Sequence, residues 1–524
     1  MASDDSTGAG LSPASRAAPR GSGPARAARW ARRTLFLVHR GLGVVLALVM
    51  AIWAISGITM MYVAFPDTSP EERLGGLQPL DLSGCCAAFT VPEGPLASAS
   101  VEMLLGRPVL RIMTGQGPVA LPLDGQALPE MGAGQAGAIA ATHVRETFGT
   151  APAVRVAPTE PDQWTVYGRF RQHAPLYKAS FADPRGTELY VSGLTGEVVQ
   201  DTSSRERFWN WLGAVPHWLY FTALRANQPL WYNLVVYTSL LGVFLTVTGI
   251  YVGVVMYGRG KKRWSPFRGI ALWHHWTGLV FGLLTLTWVA SGLFSMNPWG
   301  WFESQGPTEE IPNLAGREIA GADAMALVGA LGAHPQPGVI SAQVDVQQGR
   351  PWAILVRADG MRTRASLPDL VPAPPSAAEL DAKGRIAKPA TRIASARTIA
   401  EPDAYHYGHK GEPVLPAYRV IYANADETRL YFDPRTGELI NFVDAETRAF
   451  RWWHLGLHRL DFPVLRSRPL WDIVTLPLLI GVSLLCLLGV WMGVRRVMRP
   501  RGPMRRGASR QGQPADRRRA ARRQ

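Results

Sequence analysis

The sequence predicts an α-helical membrane protein: four transmembrane helices from a duplicated two-helix module, with two α+β domains outside the bilayer. Three observations carry that expectation. Four apolar runs, 34–65, 232–257, 270–296 and 470–494, reach the ~20 residues that a bilayer crossing takes. The first and third runs repeat each other: His39, Gly43, Trp53 and Ser56-Gly57 recur as His274, Gly278, Trp288 and Ser291-Gly292, all 235 positions later (274 − 39). Finally, the net charge of +15 over 524 residues gathers at three places that alternating spans put on one side.

Residues 1–40 carry seven Arg against two Asp, 259–268 carry five basic residues, and 495–524 carry twelve Arg against one Asp. Basic segments stay in the cytoplasm, which places both termini there and the two long loops outside. Attraction to anionic head groups accounts for this charge, so the expected partner is the lipid bilayer and not a nucleic acid. The tails, 1–33 and 495–524, read as disordered because they are rich in Arg, Gly and Pro. The first run is too long for a signal peptide, and no small-residue cleavage site follows it. Cys85, Cys86 and Cys486 imply no disulfide framework and no metal site.

Along the chain, the first outer domain, 66–207, opens with a turn and strands around Gly106-Arg107-Pro108. It continues with an Ala-rich helix near 137–148 and ends with strands at Tyr177–Phe181 and Glu188–Val191 before Thr195-Gly196-Glu197. Period-two alternation broken by Gly and Pro reads as an antiparallel sheet with a helix on one face. The second outer domain, 297–449, repeats the plan through Gly349-Arg350-Pro351, Pro416–Val420 and Thr436-Gly437-Glu438. Each Thr-Gly-Glu is a hairpin turn with glycine at positive φ. The Pro/Ala-rich stretch 368–397 reads as an exposed excursion without periodicity. A Trp-rich approach to the membrane follows each domain, at 208–231 and 450–469, and a short cytoplasmic loop, 258–269, joins the halves.

Alternation puts His39 and His274 near the inner face. His217 and His458, 241 positions apart (458 − 217), fall near the outer one. An ionisable group in a bundle is costly and usually faces a partner or cofactor, and neutral imidazole is the usual axial ligand of b-type haem. One histidine from each half at each face would hold two haem b groups stacked across the bilayer. Hydrogen bonding to head groups is the competing role. The retention of both pairs where the halves have otherwise diverged favours ligation. His275 and His454 lack counterparts and stand as alternate ligands or as supports, a choice that helix phase does not settle because neighbours differ by ~100°. Arg40 and Arg459, with Arg225 and Arg466, are candidates to pair with propionates or to snorkel. Tyr405, His406 and His409 could touch an iron chelate, with loop packing as the plainer role. Gly43, Gly57, Gly278, Gly282 and Gly292 permit close approach of a helix or a macrocycle. No side chain is assigned a catalytic role.

The His-x-x-x-Gly start of the spans, their Ser-Gly ends, the Thr-Gly-Glu hairpins and the Trp/His approaches together resemble the PepSY-associated transmembrane family. Within it the likeness is to the four-helix ferric-siderophore reductases and iron-uptake proteins of the bacterial inner membrane, and it covers about residues 30–497. The resemblance implies PepSY domains in the periplasm, two b haems with His39, His217, His274 and His458 as ligands, and electron delivery to a ferric siderophore or other periplasmic iron chelate. That activity would make the chain a transmembrane ferric-chelate reductase. Some relatives carry a flavin/nicotinamide reductase domain. Here no strand–GxGxxG–helix unit occurs and the cytoplasmic segments are too short to form one, so a quinol or a separate reductase is the expected donor. The competing expectation is a haem-free PepSY scaffold that binds or restrains a periplasmic partner. A transporter fits less well, since the spans are uninterrupted and hold few charges.

Overall fold

A computed structural model describes residues 23–83, 85–86, 89–259, 264–408 and 412–498. Four of its helices are long and apolar enough to cross a bilayer: Arg26–Met60, Gln228–Met256, Ile270–Ser295 and Leu470–Val497. Leu48, Val247, Leu283 and Leu487 are exposed on their outer surfaces, as lipid contact requires, while Ser56, Thr246, Ser291 and Ser483 are buried. Thr246 and Ser483 donate to carbonyls one turn back, at 2.8 Å each, so their hydroxyls are satisfied within the helix. The first helix begins at Gly23, inside the stretch expected to be disordered, and stops at Met60. The run Ala25–Arg33 is mostly Ala and Arg, which are strong helix formers.

Each span packs on two others: the first on the second and fourth, the third on the second and fourth. First and third are therefore diagonal. Leu46, Met50, Ala51, Ala54, Leu245, Val482 and Cys486 fill the interior between them. The face of the bundle that carries the long loops is called the domain side below, and the opposite face the tail side.

The loops form three antiparallel sheets. The first contributes β1 (Ser98–Leu104), β2 (Arg107–Thr114), β3 (Gly117–Pro122), a helix at Ala133–Phe148, then β4 (Val154–Thr159), β5 (Leu176–Phe181), β6 (Glu188–Ser192) and β7 (Val198–Thr202). The second contributes β8 (Val339–Gln347), β9 (Arg350–Arg357), β10 (Arg362–Ala365), a helix at Ala377–Ala387, then β11 (Ile393–Ile399), β12 (Ala417–Tyr422), β13 (Arg429–Phe432) and β14 (Leu439–Val443). Turns repeat with the strands. Leu105-Gly106 and Gln348-Gly349 both have φ between 52° and 77° at the two central positions, the left-handed geometry of tight hairpins. Gly196 and Gly437 in the Thr-Gly-Glu turns take φ of 67° and 77°, as expected.

Two features depart from expectation. The outer loops, read as two separate domains, share one six-stranded sheet in the order β10-β9-β8-β1-β2-β3. Beneath it lies a common core in which Leu82, Leu110 and Ile112 meet Leu327, Leu331 and Leu355. Only β4–β7 and β11–β14 remain private to their own half. The stretch 368–397, read as an exposed excursion, contains the helix Ala377–Ala387, which buries Leu380, Gly384 and Ala387. Ser376 caps it by accepting from the Glu379 amide. A Cβ on Gly384 would come within 3.1 Å of Val420, so glycine lets this helix lie close on its sheet. Cys85 and Cys86 are bonded to each other, and Cys486 is a buried free thiol.

Candidate functional site

The diagonal pairing of first and third spans brings His39 and His274 together on the tail side, with ring centroids 6.5 Å apart and planes inclined at 36°. His217 ends the short helix Ala214–His217, which folds back onto the first span. His458 lies on Leu457–Arg459, which folds back onto the third. These two rings meet on the domain side with centroids 6.0 Å apart, inclined at 66°. Two imidazoles that shared one metal through Nε2, at about 2 Å per bond, would have centroids roughly 6 Å apart. Both pairs have that spacing.

Hydrogen bonds fix which nitrogen faces inward. His217 Nδ1 lies 3.1 Å from the Trp53 carbonyl and 3.0 Å from Ser56 Oγ. His458 Nδ1 lies 3.1 Å from the Trp288 carbonyl and 3.3 Å from Ser291 Oγ. A neutral imidazole that donates from Nδ1 to a carbonyl keeps its lone pair on Nε2. Burial pushes the His217 imidazole down to about 4 and holds His458 well below its ordinary value, so both rings stay neutral at physiological pH. On the tail side, His39 Nδ1 lies 3.1 Å from the Leu245 carbonyl. His274 has the Leu485 carbonyl, the repeat equivalent of Leu245 (485 − 245 = 240), as its backbone neighbour, and its buried Nδ1 makes no hydrogen bond of ordinary geometry.

Glycine makes room for each ring. A Cβ on Gly249 would stand 2.7 Å from His39 Cε1, and one on Gly489, 240 positions later (489 − 249), would stand 3.6 Å from His274 Cε1. On the domain side, Gly57 and Gly292 play the same part for His217 and His458, at 3.8 and 3.2 Å. A cavity of about 1250 Å³ adjoins the tail-side pair, floored by Gly43, Gly249, Gly278 and Gly282 and rimmed by Arg40, Arg268, Arg495 and Arg496. Its size exceeds what drug-sized ligands occupy.

The undecided neighbours separate cleanly. Both nitrogens of His275 are engaged, Nδ1 with Ser265 Oγ at 2.9 Å and Nε2 with the Gly253 carbonyl at 2.8 Å, so it ties the short tail-side loop to the second span. Among the neighbours of His39, the ring that faces it is His274. His454 sits in a π-helical turn, bonds the Ser291 carbonyl at 2.9 Å and stacks on His458 at 5.2 Å, so it supports the pair from behind. Burial pushes its imidazole down to about 4.

The charged and chelate candidates divide as well. Arg40 is exposed at the rim of the tail-side cavity. Arg459 is exposed next to His458, and its carbonyl accepts from Trp471 Nε1 at 2.7 Å. Arg466 is committed to Asp461 at 3.1 Å. His406, read as a candidate chelate contact, is buried: its Nε2 bonds the Val414 carbonyl at 2.9 Å and its ring stacks on Tyr431 at 4.8 Å. Tyr405 is half-buried, with its hydroxyl taken by Trp452 Nε1 and its ring covered by Arg429. Neither side chain is presented to an incoming chelate, and His409 lies outside the described residues.

Among the described residues no group of three or more His, Cys, Asp or Glu side chains gathers around a metal position. Two neutral imidazoles at this spacing are a donor set that would suit a haem iron. Reasoning from sequence missed the backbone acceptors Trp53, Trp288 and Leu245 and the cradle glycines Gly249 and Gly489. The recurrence of the last two at the repeat spacing was the available signal. No family model matches the chain, and no curated protein matches it either.

Proposed function

We propose that this chain is a dihaem b-type oxidoreductase of the bacterial inner membrane, akin to the PepSY-associated transmembrane family, that reduces a ferric chelate on the domain side. In this reading the domain side is periplasmic, because the basic tails and the basic short loop belong in the cytoplasm. His39 and His274 would hold one haem b, and His217 and His458 the other. When bound, the two haems would supply one-electron transfer between the faces.

The chain's own residues would do the rest. Trp53, Trp288 and Leu245 carbonyls orient the imidazoles, and the cradle glycines admit them. Arg40 at the cavity rim offers charge to a propionate. Reduction of Fe(III) to Fe(II) weakens hard oxygen chelators, so iron is released at the periplasmic face. Electrons come from a quinol or from a separate cytoplasmic reductase.

The observation that carries this reading is the pair of cross-half histidine contacts, each at the spacing of a shared metal, at opposite ends of one bundle. The test is a reduced-minus-oxidised absorption spectrum of the purified chain with haem quantified per polypeptide. Two low-spin haems per chain are expected. A haem-free preparation from haem-replete cells would sink the reading and leave a scaffold of two outer domains, joined by a shared sheet, to bind a periplasmic partner.

A further inference from the structure

Two tryptophans in the bundle carry donors that nothing in the chain accepts. Trp53 and Trp288 are repeat equivalents (288 − 53 = 235), and among the described residues each has its Nε1 buried without a hydrogen-bond partner. Buried indoles usually find an acceptor, and three others in this molecule do. Trp231, Trp471 and Trp452 donate to the Trp218 carbonyl, the Arg459 carbonyl and the Tyr405 hydroxyl at 2.8, 2.7 and 3.2 Å. A leucine at 53 or 288 would fill apolar space without stranding a donor. What these two positions gain from tryptophan is therefore the ring.

Both rings lie between the histidine pairs. The tail-side cavity runs from Arg33 to Met50 along the first span and from Ile270 to Thr285 along the third, so its inner end stops three residues short of each tryptophan, about 4.5 Å of helix rise. Both spans run from the tail side to the domain side, and a helical side chain leans toward the N-terminus of its helix, over the turn before it. Each indole is thus carried toward the cavity. Met50, Leu245 and Cys486 line the cavity and belong to the apolar cluster on which both indoles pack. Trp288 also packs against the cluster of Met61, Trp471 and Leu479. The backbones of the same two residues reach the other way: the Trp53 carbonyl is 3.1 Å from His217 Nδ1, and the Trp288 carbonyl is 3.1 Å from His458 Nδ1.

We propose that Trp53 and Trp288 are the electronic link between the tail-side and domain-side sites, a role that rests on the redox reading above. Electron tunnelling decays more slowly along covalent and hydrogen bonds than across gaps between side chains. Each tryptophan offers a continuous route of indole, Cβ, Cα, carbonyl, hydrogen bond and imidazole, so duplication supplies one route to each imidazole of the domain-side pair. One electron leaves the tail-side iron, which is oxidised, and reaches the domain-side iron, which is reduced. The indoles begin and end neutral, and no proton or bond changes place. The quinol or reductase of that reading replaces the electron on the tail side, and the ferric chelate takes it up on the domain side.

The test uses the full-length chain with both haems bound, in lipid nanodiscs, with a ruthenium bipyridyl complex attached through Arg496→Cys at the tail-side rim. A laser flash injects one electron on the tail side. Its arrival at the domain-side haem is the second phase of the absorbance change, the phase that His217→Ala must lack. Trp53→Leu combined with Trp288→Leu is expected to slow that phase at least tenfold, and either change alone about twofold, since one of two parallel routes remains. Trp53→Phe combined with Trp288→Phe, which keeps a ring at each position, should hold it within about threefold of wild type. Haem content by pyridine haemochrome assay and both midpoint potentials should match wild type throughout, which a purely structural role would not leave unmoved. An unslowed second phase in the double leucine chain at two haems per chain overturns the proposal, as does equal slowing by leucine and phenylalanine. If the double leucine chain does not fold, an unslowed phase in both single leucine variants overturns it. A wild-type chain without haem takes down the redox reading itself, and its absorption spectrum shows this before any flash.

Discussion

The two histidine pairs come from one repeat and are held in different ways. On the domain side each ring rides on a short helix tucked against a span, and each Nδ1 has a carbonyl and a serine within reach. On the tail side the rings belong to the spans themselves. Each has a backbone carbonyl beside it, Leu245 for His39 and Leu485 for His274, and a large cavity opens next to them. The domain-side rings are set by a carbonyl and a serine apiece, whereas the tail-side rings have a carbonyl beside them and depend also on how the spans pack. Duplication preserved where the imidazoles meet and let their surroundings diverge.

The comparison can be broken most directly by removing rings. His217→Ala or His458→Ala should leave one haem per chain, as should His39→Ala or His274→Ala, while His275→Ala keeps both. Pyridine haemochrome assay on the purified variants measures this. Equal haem content in all five variants would refute the assignment of the pairs.

The next effect concerns the two helices of the outer loops, Ala133–Phe148 and Ala377–Ala387. Burial, with help from the Arg73 charge, lowers His143 from 6.5 to about 4, and burial lowers Lys383 from 10.5 to about 8. Both groups bind protons more readily unfolded. The His143 contribution to stability is therefore complete above pH 6.5 and lost as pH falls through 4. The Lys383 contribution is complete above pH 10.5 and lost as pH falls through 8. Each is worth roughly 3 kcal/mol at most. His143→Gln should flatten the lower window alone and Lys383→Met the upper alone, read from denaturant midpoints across pH. A variant that leaves its own window unchanged refutes the corresponding burial argument.

A smaller effect separates two of the four glycine cradles. Gly249→Ala drives a methyl to 2.7 Å from His39, while Gly57→Ala leaves 3.8 Å to His217. Overpacking of the first kind costs about 1–3 kcal/mol, so haem titration should find the tail-side site weakened about tenfold or more and the domain-side site unchanged. Smallest of all, Ser56→Ala and Ser291→Ala each remove one of two polar neighbours from an Nδ1. They should cost under about 1 kcal/mol in thermal stability, because the carbonyl remains.

Much of this architecture was legible in the sequence because it rests on periodicity and recurrence. Spans of ~20 apolar residues, the His39/His274 echo and the glycine of each Thr-Gly-Glu turn are local signals. The helix Ala377–Ala387 was not read, although Ser376 with Glu379 three residues on is a capping signature. Three prolines just before it and an alanine-rich composition blurred its apolar face. The β1–β8 pairing joins residues more than two hundred positions apart, and nothing local announces it. His275 and His454 could not be sorted from their neighbours by spacing, because only the acceptors Gly253, Ser265 and Ser291 assign their roles. For Tyr405 and His406 chelate contact and loop packing stayed open, packing being the plainer role, because loop composition does not reveal burial.

The strand pairing that joins the halves has a further consequence. Ser100 lies opposite Gln343, its own repeat equivalent (343 − 100 = 243), with Val101 opposite Ala342 and Glu102 opposite Ser341. Such a register is what one strand makes with a rotated copy of itself, an isologous contact. The histidines follow the same rule, His39 meeting its repeat equivalent His274 and His217 meeting His458. A single half of this gene, translated alone, would therefore possess an edge whose natural complement is its twin, and each imidazole would then confront its own image across the axis.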